Sequence, residues 1–452
     1  MGPFNLPRIL RRKSFTWGDD AAASCGAIRV ASASAGDVAG DAPVAKKAHP
    51  SAAVPAHGGI ARRALAGATA ATGAVLAAAS LSACGDDKQK KTTGEPQVVD
   101  DKNLVSVLDE YEQVDCPYSA SQTWTLPLGT VLSHAGGSWA AAITVPDSAV
   151  SPNSIAALST ASGGLTALMQ TPVTGNTYVF YDARLGEGVL AWVEIEMAGR
   201  SWILYGQPFA DGALSGEAKK LDEGDVDWEP PLPEVHGSSV IWQKMPLATG
   251  AKSSKDSHCR IWSVGDSDHA NVCTSTGRFA TAPRVSGEVL TVCPRVKGGD
   301  GTYYGMTALD LADASYRQLD QLVLPASVRP LEAIYMDEQF AFSIEAAYEG
   351  VGSLGNMGTF FGREGGPYVY LSREPVSCVA GNSGVYLVKS QSAHYVVNTK
   401  DKTYSILYAP DRCLDFGDYP ATSGETSRFI TYATVRDDKG LPASVTARLF
   451  SL

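Results

Sequence analysis

The seven histidines of this 452-residue chain include no HExxH pair and no short His/Cys cluster with zinc spacing, which excludes a zinc site written locally in the sequence. No Gly-x-Ser-x-Gly elbow is present; Gly381-Asn382-Ser383-Gly384 comes nearest, and it lies in a recurring turn. Asp222, Glu223, Asp225, Asp227 and Glu229 form the densest acidic run, without the D-x-D-x-D-G spacing of a calcium loop. Basic charge is short as well: 37 Lys and Arg face 48 Asp and Glu, a net charge of −11. Such a surface repels phosphate backbones and anionic lipid, so no nucleic-acid partner is expected. No metal, cofactor or oligomeric state is signalled, and catalytic residues stay unassigned.

What is present begins with Arg62 to Cys84, RRALAGATAATGAVLAAASLSAC. Two arginines, Arg62 and Arg63, open an uncharged run that ends in Leu81, Ser82, Ala83 and Cys84, the order of an export signal. The last four residues resemble a bacterial lipobox, whose cleavage leaves the cysteine as a lipid-modified first residue. The paired arginines, followed by Ala64 and Leu65 and a weakly hydrophobic Ala/Gly-rich run, resemble a twin-arginine signal, whose pathway exports folded proteins. The resemblance implies removal of residues 1–83 and a lipid anchor at Cys84 on the outer face of a bacterial cytoplasmic membrane. The remaining chain carries 28 basic and 44 acidic side chains. Membrane attachment would therefore come from the lipid rather than from charge.

Cys116, Cys259, Cys273, Cys293, Cys378 and Cys413 remain after Cys25 and Cys84 are set aside. Thiols outside the cytoplasm tend to oxidise, and six allow fifteen pairings. Cys259 and Cys273 are equidistant from Asp266 in the turn Gly265-Asp266-Ser267-Asp268 and would face each other across a hairpin. A disulfide between them is expected; buried thiols are the alternative.

Residues 84–115 are polar and charged, with Lys88, Lys90, Lys91, Glu95 and Pro96, and read as a flexible tether. Within it, Asn103 to Val114 fits a short helix or an extended segment equally well. From residue 116 on, a turn followed by an alternating apolar strand occurs seven times. The first large apolar residues of these strands are Trp139, Val189, Val240, Val289, Phe340, Val385 and Phe429, separated by 50, 51, 49, 51, 45 and 44 residues. That period marks an all-β fold, a single β-propeller over residues 116–452 with four-stranded blades. Seven blades are expected, with six or eight as alternatives. A propeller must remove its open edge, and only 23 residues follow Phe429. Ser121 to Leu126 is therefore expected to supply the outer strand of the last blade, beside Ser444 to Phe450. By repeat pattern alone the chain resembles TolB-like and WD40-like bacterial propellers. It lacks their Trp-Asp and Gly-His signatures and the Ser-x-Asp-x-Gly-x-Thr-Trp box of sialidase propellers, so no family residue carries over.

Turns between second and third strands emerge on the same face as the connections between blades. The loop LDEGDVDWEPPLP, with Asp225, Asp227 and Trp228, thus shares a face with Pro246–Ser257 and with Tyr348–Gly366, which holds Tyr348, Phe360, Phe361 and Arg363. Glycine-rich loops with aromatic anchors suit recognition. Three functions fit the sequence. The first is a lipid-tethered, non-catalytic propeller binding a protein or glycan partner at the cell envelope. The second is a hydrolase or lyase acting on an extracellular carbohydrate or ester, and the third a structural component of a surface complex.

Overall fold

In the computed structural model, residues 103–145, 152–298, 301–325, 328–345, 356–391, 393–414 and 417–452 are described. The signal residues Arg62, Arg63, Leu81, Ser82, Ala83 and Cys84 lie outside them, as does Tyr348. The fold is all-β, about 2% helical, and propeller-like, with six blades evident.

The described strands form seven sheets. The second shows the pattern: Tyr178–Leu185, Val189–Glu196, Trp202–Ala210 and Lys219–Gly224 run antiparallel from the inside outward. Its second strand, VLAWVEIE, is apolar on both faces because a sheet packs on either side of it. Alternation along a strand sends successive side chains to opposite neighbours. In the third sheet Val240 and Trp242 join the core shared with the second, while Ile241 joins the core shared with the fourth. The second strands begin at Trp139, Val189, Ser239, Val289, Gln339, Val385 and Arg428, within one residue of every repeat position read from the sequence.

Seven apolar clusters lie between sheets. Six join sheets consecutive in the chain. The remaining cluster joins Leu132, Ala140 and Leu158 of the first sheet to Ile430, Tyr432 and Val445 of the last. The outer strand of that last sheet is β3 (Gln122–Leu126), antiparallel to Pro442–Ser451, with Trp124 opposite Ala447.

The stretch assigned to the tether is partly folded. β1 (Leu104–Ser106) pairs in parallel with Tyr368–Tyr370, the short helix α1 (Val107–Glu110) follows, and β2 (Glu112–Gln113) pairs in parallel with Thr403–Tyr404. Val107 and Tyr111 are buried among side chains of the fifth and sixth sheets. Two apolar residues at the right spacing thus override the polar composition, and the segment is extended at both ends and helical between.

The expected disulfide is also corrected. Cys259 and Cys273 do stand directly opposite each other. They are nevertheless thiols, as are Cys116, Cys293, Cys378 and Cys413. The register shift that follows leaves Val272 as an extra residue beside Cys273, a bulge in the strand Ala270–Ser275, and disulfide geometry tolerates little misalignment.

Candidate functional site: loop face and central channel

The loop face is built around Trp228. Trp228–Glu229 forms a two-residue strand against Met245–Pro246, where a loop was expected. Its carbonyl accepts the indole N–H of Trp202 at 3.0 Å. The ammonium groups of Lys244 and Lys252 stand 4.8 and 5.4 Å from its ring, within cation–π range. Lys244 is also 4.5 Å from the ring of Trp202, and burial lowers its pKa. Asp222 neutralises this cluster, accepting from Lys244 at 3.1 Å, Arg260 at 2.8 Å and the indole of Trp242 at 2.8 Å.

Asp225 and Asp227 tie the adjoining loops together. Asp225 meets Lys252 at 2.5 Å, and its pKa is lowered mainly by that hydrogen bond. Asp227 accepts the backbone N–H of Ala251 at 3.1 Å. The segments 225–228 and 246–257 therefore do share a face and touch, but their charged and aromatic groups are largely engaged with one another.

The fifth-sheet anchors are not where they were placed. Phe360 and Phe361 lie in the strand Gly358–Gly362, fully buried on opposite sides of it. Phe360 stacks on Phe342 and Tyr370, and Phe361 on Tyr386. Their apolar surface belongs to the cores beside the fifth sheet, so they cannot serve as surface anchors. Among the described residues of this group, Arg363 alone is exposed.

The central channel holds a chain of charges that the sequence reading missed. Arg184 donates to Ser133 Oγ at 2.5 Å and meets Glu234 at 3.2 Å. Glu234 meets Arg284 at 2.5 Å, and Arg284 meets Glu332 at 2.9 Å. Desolvation alone would favour a neutral Arg284, yet Glu332 and Glu234 outweigh it and raise its pKa. A signal for this chain existed. Ser133, Arg184, Glu234, Arg284 and Glu332 follow at intervals of 51, 50, 50 and 48 residues, on the inner strands of five successive repeats.

A segment of the last repeat reaches across the channel to the inner strands of the fourth, fifth and sixth sheets. Gly424–Glu425 pairs in parallel with Ala380–Gly381 of the sixth sheet. The Glu425 N–H donates to Ser286 Oγ of the fourth sheet at 2.9 Å. Gly424 has φ +80°, and a β-carbon there would lie 2.8 Å from the Val285 carbonyl oxygen and 3.1 Å from Ile334. Only glycine lets the chain pass this close to two other sheets.

No family model matches this chain, and no curated protein matches it. Its fold is similar to that of a prolyl endopeptidase structure, at 12% identity and a TM-score of 0.48 over 72% of this chain and 50% of that one. It is also similar to an oligogalacturonate lyase in complex with manganese, at 10% identity and a TM-score of 0.44, over 75% and 98%. Prolyl oligopeptidase B from Galerina marginata gives 9% identity and 0.44, over 73% and 49%. The chain spans about half the length of the prolyl endopeptidase.

Proposed function

We propose that this chain is a lipid-anchored, extracytoplasmic propeller of seven blades, closed by β3, that binds a protein or glycan partner through its loop face without catalysis. The observation that carries this reading is one-sidedness. Eight of ten exposed large hydrophobic side chains among the described residues, including Leu128, Val173, Met197, Val226, Tyr408 and Leu441, fall in second-to-third-strand turns or sheet-to-sheet connections. Scattered exposed apolar groups are ordinary; their concentration on one face favours an interaction surface. The channel supports the same reading, since the segment at Gly424 reaches across it to the inner strands of other sheets. Seven blades are supported by seven inter-sheet cores, one of which joins the last sheet to the first.

The anchor at Cys84 rests on the resemblance of its sequence to a lipobox. Mass spectrometry of the mature N-terminus checks the anchor, with an acylated Cys84 expected and an unprocessed Arg62 to Ala83 counting against it. Crosslinked pull-down from the native envelope tests the binding face: Val226→Asp together with Met197→Asp should abolish partner recovery while the melting temperature holds. Unchanged recovery would remove the face.

A hydrolase or lyase acting on an extracellular carbohydrate or ester is the second reading, and prolyl endopeptidases and an oligogalacturonate lyase are among the proteins of similar fold. What favours it in this chain is that Glu234 and Glu332, from different sheets, converge on one guanidinium. Turnover of oligogalacturonate or an aryl ester that is lost in Glu332→Gln would replace the binding reading with this one.

A further inference from the structure

The start of the last sheet is gripped from both flanks by buried imidazoles. On one side His394, which opens the third strand of the sixth sheet, lies 2.9 Å from Asp418 Oδ1 through its Nδ1. On the other, His134 beside the first sheet reaches Thr422 Oγ1 at 3.0 Å through Nδ1 and the Gly137 carbonyl at 3.3 Å through Nε2. The two rings are 0% and 4% exposed.

The neighbours fix the tautomers. A carbonyl only accepts, so His134 carries its proton on Nε2 and accepts at Nδ1. Thr422 Oγ1 already accepts the Ile430 N–H at 3.1 Å, which leaves the threonine's own proton for that Nδ1. On His394 the carboxylate holds the proton on Nδ1, and Nε2 meets no partner among the described residues. Four residues beyond Asp418 the chain passes Thr422 and enters the channel as Gly424–Glu425.

We propose that His134 and His394 form a proton-sensitive latch that holds residues 418–425, and with them the segment across the channel, only while both rings are neutral. A second proton on His134 would turn its Nδ1 into a donor facing a hydroxyl whose own hydrogen then points nowhere. It would also bury a cation that Arg428 repels. A second proton on His394 would place an N–H where no acceptor stands among the described residues, near Lys389 and Arg448. Asp418 is the facing counter-charge, already 2.5 Å from Arg448. It is not the titrating group, because His394 and Arg448 keep its pKa well below the carboxylate range.

The direction of the pH effect follows from burial, which lowers the pKa of His394 and takes that of His134 down to about 4. A histidine whose folded pKa is depressed stabilises the fold fully above its unfolded value near 6.5 and loses that contribution as pH falls towards the folded value. The latch is therefore closed at neutral pH and loosens between about pH 6.5 and 4.

Hydrogen–deuterium exchange of the full chain, corrected for intrinsic rates, tests this. Between about pH 7 and pH 4.5, segments covering 417–432 should lose protection on the order of tenfold or more while the second and third sheets keep theirs. Asparagine can reproduce the Nδ1 contact at either position without titrating, so the double variant His134→Asn, His394→Asn should flatten the step. Uniform loss across all sheets, no loss at 417–432, or a step that survives in the double variant would overturn the latch. Should the double variant not fold, the imidazole resonances of the unaltered protein decide: both midpoints are expected below 6.5, and a midpoint at or above that value for either ring overturns it.

Discussion

The indole of Trp124 lies directly over Gly163: a β-carbon on that glycine would sit 2.0 Å from the tryptophan Cδ1. One residue comes from β3 in the last sheet, the other from the turn before the outer strand of the first. Gly163 also has φ +73°, a conformation that other residues resist. Gly163→Ala should therefore cost about 2–4 kcal/mol, from backbone strain together with a clash at the junction of the two sheets. Denaturant unfolding measures it; Gly136→Ala, whose β-carbon would meet nothing within 4 Å, separates the clash from the strain.

The channel charges should be costly to break singly. Arg284→Ala leaves the carboxylates of Glu234 and Glu332 buried without their shared cation, and a loss of about 3–5 kcal/mol is expected. Arg284→Met with Glu332→Leu should recover much of it, because Glu234 keeps Arg184 as its partner and the other two charges are removed together. Chemical denaturation of the two variants checks the sign.

Glu194 should be equally intolerant. It is fully buried and accepts three N–H groups, those of Val173 at 2.7 Å, Thr174 at 2.9 Å and the Trp192 indole at 2.9 Å. Glu194→Ala orphans all three donors and should cost about 3 kcal/mol or more. Loosening should appear first at residues 173–174, as faster amide exchange there than in the third sheet.

Thiol reactivity should divide the cysteines by burial. Burial pushes Cys293 and Cys378 up to about 12, so neither presents a thiolate near pH 8. Iodoacetamide should label the half-buried Cys116 and Cys413 in the native protein, and the other four only after denaturation. Mass mapping that finds Cys259 and Cys273 unlabelled even in denaturant without reductant would instead restore the disulfide between them.

Strand positions were legible because apolar alternation and glycine turns are local signals. Trp139, Val189, Val289 and Val385 open their strands as read. Loop chemistry was not legible in the same way. Phe360 and Phe361 follow a glycine-rich run, and nothing local says that the strand has already begun. Trp228 gave no hint of Lys244, which lies sixteen residues on and reaches the ring only once Trp228 pairs with Pro246. The channel charges were written at the repeat period, yet they emerge only when successive repeats are aligned by inner strand rather than by apolar residues.

The docking of residues 104–113 changes how the molecule would bear a load. A pull arriving through residue 102 meets the three rungs between Leu104–Ser106 and Tyr368–Tyr370, then the buried Val107. Those rungs sit on the rim of the fifth sheet, away from the contact of Trp124 with Gly163. Tension is thus taken first by a short parallel clip, and detachment of all of residues 104–113 would release roughly 30 Å of chain. The pairing of β3 with Pro442–Ser451 would hold while residues 104–113 peel away.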